Sequence, residues 1–160
     1  MKKFFTTLFI WSLIFLVGCA APMKAPPEKD ASAKSFIPVK DKSSLYVFRN
    51  ENFGGAVGMP VSINGTGIGE TGAKTFFRLD LEPGYYLLTS AAENTSELVL
   101  TLIEGRNHFV WQEVRMGIWK ARTSLSQVDE KTGRDGVLES VLLTPSASEE
   151  MLSAFRMNTK

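Results

Sequence analysis

The stretch Thr75-Phe76-Phe77-Arg78-Leu79-Asp80-Leu81-Glu82-Pro83-Gly84-Tyr85-Tyr86-Leu87-Leu88-Thr89-Ser90-Ala91 decides the fold class. Phe77, Leu79 and Leu81 fall on one side of an extended chain and Arg78, Asp80 and Glu82 on the other, the period-two alternation of a half-buried strand. Pro83-Gly84 then makes a turn, because proline pre-sets its own φ and glycine tolerates positive φ, and Tyr85 to Ala91 returns as a second strand. Working outward, Leu45 to Phe48 and Met59 to Ile63 are strands, the latter closed by Asn64-Gly65, the strongest short hairpin signal. Leu98 to Ile103 is apolar on both faces, which suits a central strand, and Gly105-Arg106 turns it into Asn107 to Arg115. A long strand from Ile118 alternates Trp119, Ala121, Thr123 and Leu125 toward a core against Lys120, Arg122, Ser124 and Ser126 toward solvent. Short strands separated by turn residues, without helical periodicity, predict an all-β fold, a small antiparallel β-sandwich of about seven or eight strands. After Gly133 the pattern allows a closing strand over Val137 to Leu143 or a short helix joined to one. Ser146 and Glu149 are spaced as a capping box, and Met151, Leu152 and Phe155 share one face, so a short C-terminal helix is expected, docked on the sandwich or frayed.

The other end of the chain carries an address. Leu16-Val17-Gly18-Cys19 closes an apolar run that starts behind Lys2 and Lys3 and has the form of a bacterial lipobox. From Phe4 to Val17 the run is shorter than the roughly 20 apolar residues a hydrocarbon core requires, but it suits the apolar part of a secretory signal. The lysines hold its start on the cytoplasmic side, and Gly18 gives a peptidase room before the cut. Residues 1–18 are therefore expected to be a lipoprotein signal peptide, with diacylglyceryl attached to the Cys19 sulfur and a further acyl chain on its freed amine. Several chains, at about 0.8 kcal/mol per buried methylene, exceed the marginal anchoring of one. Cys19 is also the sole cysteine, so no intramolecular disulfide can form, and acylation removes an exported free thiol from oxidation.

Removing two lysines and no acids turns 18 basic and 17 acidic residues into 16 and 17, a mature net charge near minus one. So balanced a chain lacks the basic field that gathers nucleic acid. From residue 19 to 43 the sequence is poor in large apolar side chains and carries Pro22, Pro26, Pro27 and Pro38, so a lipidated, disordered tether is expected, with a reach of about 25 to 30 Å as a flexible coil. The sandwich is assigned to residues 44–143 and the helix or tail to 144–160. Ala20, rather than aspartate, follows the cysteine, which favours the outer membrane, facing the periplasm, in a host with two membranes.

No motif identifies a reaction. Gly67-Ile68-Gly69-Glu70-Thr71-Gly72 has the letters of a dinucleotide fingerprint, but that chemistry needs a strand before it and a helix after it, and here strands flank both sides. These glycines are expected as turn and bulge formers, and no nucleotide is expected. The glycosylation patterns at Asn64 and Asn94 are incidental in a bacterial chain. His108, the single histidine, is available as a base or metal ligand, but it has no second histidine or free cysteine beside it in sequence, and no nucleophile-elbow motif accompanies it. A structural or surface role is expected. Glu93, Glu97, Glu104, Glu113 and Asp129 could supply a hydrolytic pair, yet nothing sets their separation and solvation is the default. Trp111, Trp119, Tyr85 and Tyr86 could stack on envelope sugars, although in a small β-domain they are expected in the core. No catalytic residue, metal or cofactor is assigned.

The succession Leu45-Tyr46-Val47-Phe48-Arg49, Pro60-Val61-Ser62-Ile63-Asn64-Gly65 with Ile68-Gly69, Leu81-Glu82-Pro83-Gly84-Tyr85 and Glu104-Gly105-Arg106-Asn107-His108-Phe109 resembles the domain of unknown function 2846 family of bacterial lipoproteins. Its central part is also similar to PEGA-type surface modules. Both resemblances imply a small antiparallel sandwich, immunoglobulin-like or PEGA-like, at the cell envelope, and neither supplies a catalytic residue. The expected function is a membrane-anchored, non-enzymatic binding or scaffolding module for an envelope protein or glycan, through loops such as Asn52 to Gly58 or an edge strand. An envelope hydrolase of cell wall or lipid, or a structural subunit of an envelope assembly, are the alternatives. A lipobox at Cys19 predicts that Cys19→Ser, expressed in a bacterium, leaves the membrane fraction and is no longer cut before residue 19. Fractionation and N-terminal mass spectrometry check both, and unchanged partition with unchanged processing refutes it.

Overall fold

The computed structural model describes residues 23–52, 57–119 and 121–154. Strand β1, Ser43–Arg49, is buried along its whole length. Leu45 and Val47 point to one side of it and Tyr46 and Phe48 to the other, so both faces need cover. β1 pairs antiparallel with β4, Thr75–Leu81, and parallel with β7, Asn107–Met116. The antiparallel hairpin partner of β7 is β8, Ala121–Val128, while β9, Val141–Leu142, lies parallel to β4. One sheet thus runs β8-β7-β1-β4-β9. The second sheet comprises β2 (Met59–Ile63), β3 (Thr66–Thr71), β5 (Gly84–Ala91) and β6 (Thr95–Leu102) in the order β3-β2-β5-β6, antiparallel throughout. The expected sandwich is present, with nine strands among the described residues and a five-stranded sheet that is mixed rather than purely antiparallel.

Between the sheets, Leu45, Val47, Phe77, Leu79 and Leu81 meet Val61, Ile63, Tyr86, Leu88 and Leu100. Local chemistry places the turns. Asn64 and Gly65 adopt φ of 50° and 81°, as a two-residue hairpin turn requires, and the Asn64 carboxamide oxygen accepts the Leu87 N–H at 2.8 Å. Pro83-Gly84 turns the chain from one sheet to the other rather than within one.

A third layer covers the outer face of the five-stranded sheet. It is built by α1 (Pro27–Ala33), by Phe36 and by α2 (Glu130–Leu138), over Tyr46, Phe48, Phe76 and Phe109. The Tyr46 and Phe109 rings stack with centroids 5.0 Å apart, and the Tyr46 hydroxyl donates to the Ala33 carbonyl at 2.9 Å. Burial pushes the Tyr46 phenol up to about 12. Helix α2 approaches so closely that a Cβ on Gly133 would lie 2.1 Å from Phe109 and one on Gly136 2.1 Å from Phe48. Asp129 caps it, its carboxylate accepting the Thr132 N–H at 3.0 Å.

Several sequence expectations are corrected. The segment assigned to a disordered tether is folded from Met23 onward: the Thr144 N–H donates to the Met23 carbonyl at 2.8 Å, Lys24 bridges antiparallel to Leu143, and Phe36 is buried. Few apolar residues suffice here because they fill a face already built by aromatic rings. Residues 130–138 form a helix despite the absence of an apolar stripe, because two glycines let its backbone sit on those rings. Of the apolar Leu98 to Ile103, the residues to Leu102 lie in the outer strand β6, where Val99 is 60% exposed, and Ile103, just beyond it, is 49% exposed. Trp119 is not core: β8 begins at Ala121, opposite Met116, so residue 119 lies in the turn beyond the last strand pair. The C-terminal helix α3, Glu149–Ala154, docks through buried Leu152, but Ser148 caps it, its hydroxyl accepting the Met151 N–H at 3.2 Å. Ser146 instead bonds β3, and Glu149 accepts the Asp80 N–H at 2.8 Å. Phe155 and the expected lipobox, Leu16-Val17-Gly18-Cys19, lie outside the described residues.

Because Phe36 completes this aromatic layer, Phe36→Ala is expected to lower stability by about 3 to 4 kcal/mol in urea denaturation. A residue in a free tether would change it by less than about 0.5 kcal/mol.

Candidate functional site

The single histidine has a structural task. His108 is buried in β7, and its Nε2 accepts the Ile103 N–H at 3.0 Å, which closes the turn between β6 and β7. An accepting Nε2 requires the neutral ring with its proton on Nδ1. Burial, reinforced by the Arg106 charge, holds the imidazole below the ordinary histidine value.

The carboxylates singled out by sequence do not converge. Asp129 caps α2, Glu113 pairs with Arg115 at 2.6 Å, Glu97 and Glu104 are exposed on the outer strand and its turn, and Glu93 holds a hairpin tip. Among the described residues no three His, Cys, Asp or Glu side chains group as a metal site. Gly67 to Thr71 lies in β3 itself, with Gly72 just past its end, and a register shift opposite Val61 and Ser62 makes the expected bulge. Both side-chain heteroatoms of Asn94 bond the backbone of Thr123.

At the carboxyl end of β1 the space between the sheets turns polar, a feature with no local sequence signal. The fully buried Gln112 accepts from the Thr71 hydroxyl and donates to Ser90 Oγ at 2.6 Å, and Ser90 meets Thr123 at 2.9 Å. Beside them Arg49, also fully buried, donates to the Val57 carbonyl at 2.8 Å, and desolvation pulls its guanidinium below the ordinary arginine value. Glu51 receives the indole N–H of half-buried Trp111 at 3.1 Å and the Val114 N–H at 2.5 Å. The chain ties both sheets to one register. Of the Asn52 to Gly58 loop above it, residues 53–56 lie outside the described residues.

Beyond this polar layer stands the turn between β7 and β8. Met116, Ile118 and Trp119 are 77%, 80% and 89% exposed, the largest such values among the described apolar side chains. Their exposure is structured, because the Glu93 carboxylate accepts the N–H groups of Ile118 at 3.2 Å and Trp119 at 3.0 Å, while the Glu93 N–H donates to the Ala121 carbonyl at 3.2 Å. Three adjacent large apolar side chains on a held turn can fill a partner's pocket but offer no reactive group. Of the other aromatic residues, Tyr86 is buried and donates to the Glu82 carbonyl, and Tyr85 is partly exposed on the outer face of the second sheet.

A groove of about 760 Å³ opens between α1, β4 and the segment leading to α3. Its charges alternate in sign, Lys29, Lys42 and Arg78 against Asp80, Glu149 and Glu150. Arg78 is committed to Asp80 and to the Ile37 carbonyl, and Glu149 to the backbone of β4.

A protein of Haemophilus influenzae, described only as an uncharacterized protein, is 29% identical over 126 residues, which make up 78% of this chain and 75% of its own. No family model matches the chain, and no solved structure matches it. No described helix is long and apolar enough to cross a membrane.

Neutral His108 gives a pH signature. Unfolded, it takes a proton as pH falls through about 6.5, whereas the folded ring resists until lower pH. The unfolded state then binds more protons, so this contribution is complete above that value and declines below it. Replacing His108→Gln is expected to flatten the loss of stability between about pH 7 and pH 5, read as the difference between variant and parent denaturation midpoints.

Proposed function

We propose that the chain is a membrane-anchored lipoprotein of the bacterial cell envelope, a non-enzymatic binding module whose contact surface is the Met116 to Trp119 tip. The lipobox supports the anchor, the bacterial relative supports the host, and the motifs resembling the domain of unknown function 2846 family agree with an envelope setting. With Ala20 after the acylated cysteine, the outer membrane is the expected site, the domain facing the periplasm.

The observation that carries the binding role is the tip, with Trp119 held 89% exposed by a carboxylate that fixes its backbone. Edge pairing is the weaker mode, because side chains and the amino-terminal segment already occupy the sheet edges. Asn94 and Ser96 bond β8, Ser146 bonds β3, Glu149 and Ser153 bond the end of β4, and Met23 to Ala25 line β9. Residues 23 to 25 run parallel to β1, so the described chain leads back from Met23 toward the amino end of β1, whereas β7 carries Met116 past its carboxyl end; an anchor at Cys19 is then expected on the side opposite the tip. A protein partner in the periplasm therefore fits the tip better than the anchoring bilayer.

A photo-crosslinking residue at position 119 in living cells is expected to capture one envelope protein that the same residue at Lys131 does not. Trp119→Ala with Ile118→Asp should abolish that capture by label-free recovery while changing stability by less than about 0.5 kcal/mol, as exposed positions do. Equal capture from both positions overturns the assignment.

A further inference from the structure

The end of the sandwich opposite the tip carries its own surface. It is built from the loop of residues 36–42, which leads into β1, and the turn of residues 103–106, which leads into β7. The two are bonded to each other and to the strands: the Gly105 N–H donates to the Lys42 carbonyl at 2.7 Å, the Asn107 carboxamide to the Phe36 carbonyl at 2.8 Å, and the Ile103 N–H to His108. From this fixed frame Ile37, Ile103 and Val39 stand 69%, 49% and 36% exposed. Lys40, Lys42 and Arg106 belong to the same two loops, with Asp41 and Glu104 as their acids.

We infer that this end is a lipid-contact face that seats the domain on the headgroups of an anionic bilayer. Part of the support is the lipid anchor proposed above. Cys19 precedes Met23 by four residues, and Met23 is already bonded to Thr144, so even at full extension the Cα of the proposed acylated cysteine is no more than about 14 Å from that of Met23. Residues 23–25 run in the direction of β1, so the described chain leads back from Met23 toward this end, the side on which the proposed anchor would set the bilayer. The rest is chemical. Aliphatic side chains of moderate size with cations in the same loops suit the boundary between acyl chains and headgroups, where each lysine or arginine adds about fivefold to partition onto an anionic surface. A tether of 24 residues would let the domain stand clear of the bilayer, whereas folding from Met23 onward leaves only the residues before it to span that gap.

The test uses the full chain expressed in a bacterium, purified from membranes and placed in phosphatidylethanolamine vesicles with phosphatidylglycerol and a nitroxide-labelled lipid. Since acylation blocks Cys19, Ile37→Cys, Ile103→Cys and Trp119→Cys each provide one site for a fluorophore. Labels at 37 and 103 are expected to be quenched and the label at 119 to stay bright. Lys40→Gln, Lys42→Gln and Arg106→Gln together should reduce quenching at 37, whereas Lys131→Gln should not. Equal quenching at 37, 103 and 119 overturns the lipid-contact face. N-terminal mass spectrometry of the same sample judges the anchor separately: if Cys19 is unmodified, the three labels are read again in a Cys19→Ser background, where quenching still confined to 37 and 103 removes the anchor and keeps the face, and an acylated Cys19 with equal quenching does the reverse.

Discussion

β1 has no side that can face water. Leu45 and Val47 are needed between the sheets, and Tyr46 and Phe48 stand on the opposite face with Phe76 and Phe109 beside them. Left open, that aromatic face would be a contiguous apolar patch of the kind soluble proteins avoid. α1, Phe36 and α2 close it, so a two-sheet sandwich becomes a three-layer body. One of those covers comes from the segment before β1, and its recruitment takes up nearly all of the chain between Cys19 and the sandwich. Burial of Tyr46 and Phe48 therefore reaches through the fold to the distance at which an acylated cysteine would hold the domain.

The polar layer at the far end obeys a different rule. Thr71, Ser90, Gln112 and Thr123 sit where the sheets could have met through aliphatic side chains, and each is hydrogen-bonded to another. Removing one partner would strand a buried donor or acceptor at a cost of about 1 to 3 kcal/mol, so the group acts as a unit. It fixes the second sheet against β7 and β8 just below the hairpin tip. Glu93 and Asn94, in the turn between β5 and β6, then bond the tip and β8 directly. The exposed tryptophan consequently stands on a braced support instead of a free loop.

The strands and their inward faces were legible because alternation is local: Phe77, Leu79 and Leu81 announce their side without reference to any partner. Asn64-Gly65 was legible for the same reason. Partner choice was not. The parallel pairing of β1 with β7 joins residues more than sixty positions apart, and nothing local in Leu45 or His108 records it. Apolarity on both faces of Leu98 to Ile103 suggested a central strand, yet the outer face of β6 leaves Val99 to solvent. The folded amino-terminal segment was hidden because its cover role depends on rings supplied by strands far along the chain. Trp119 was misplaced by extending a correct alternation past the point where an opposing sheet exists. Of the site, only the histidine's structural role was legible, from its isolation and as one of two expectations beside a surface role; its neutral state, the exposed tip and the buried polar layer depend on tertiary position.

One strand connects the two surfaces. β7 starts beside the turn that His108 closes and ends at Met116, ten residues that span about 33 Å. If the lower end rests on lipid, the tip stands a fixed strand's length above it, whereas a coil of the length expected from composition would let it wander over a sphere. A partner anchored in the same membrane then meets the tip at a defined height, and the second contact of any two-point attachment becomes intramolecular. Burial of Phe109 and Val110 and the bonds of Gln112 hold β7 rigid, and with a short lipid anchor below it such a strand would turn anchoring into a defined height for the tip.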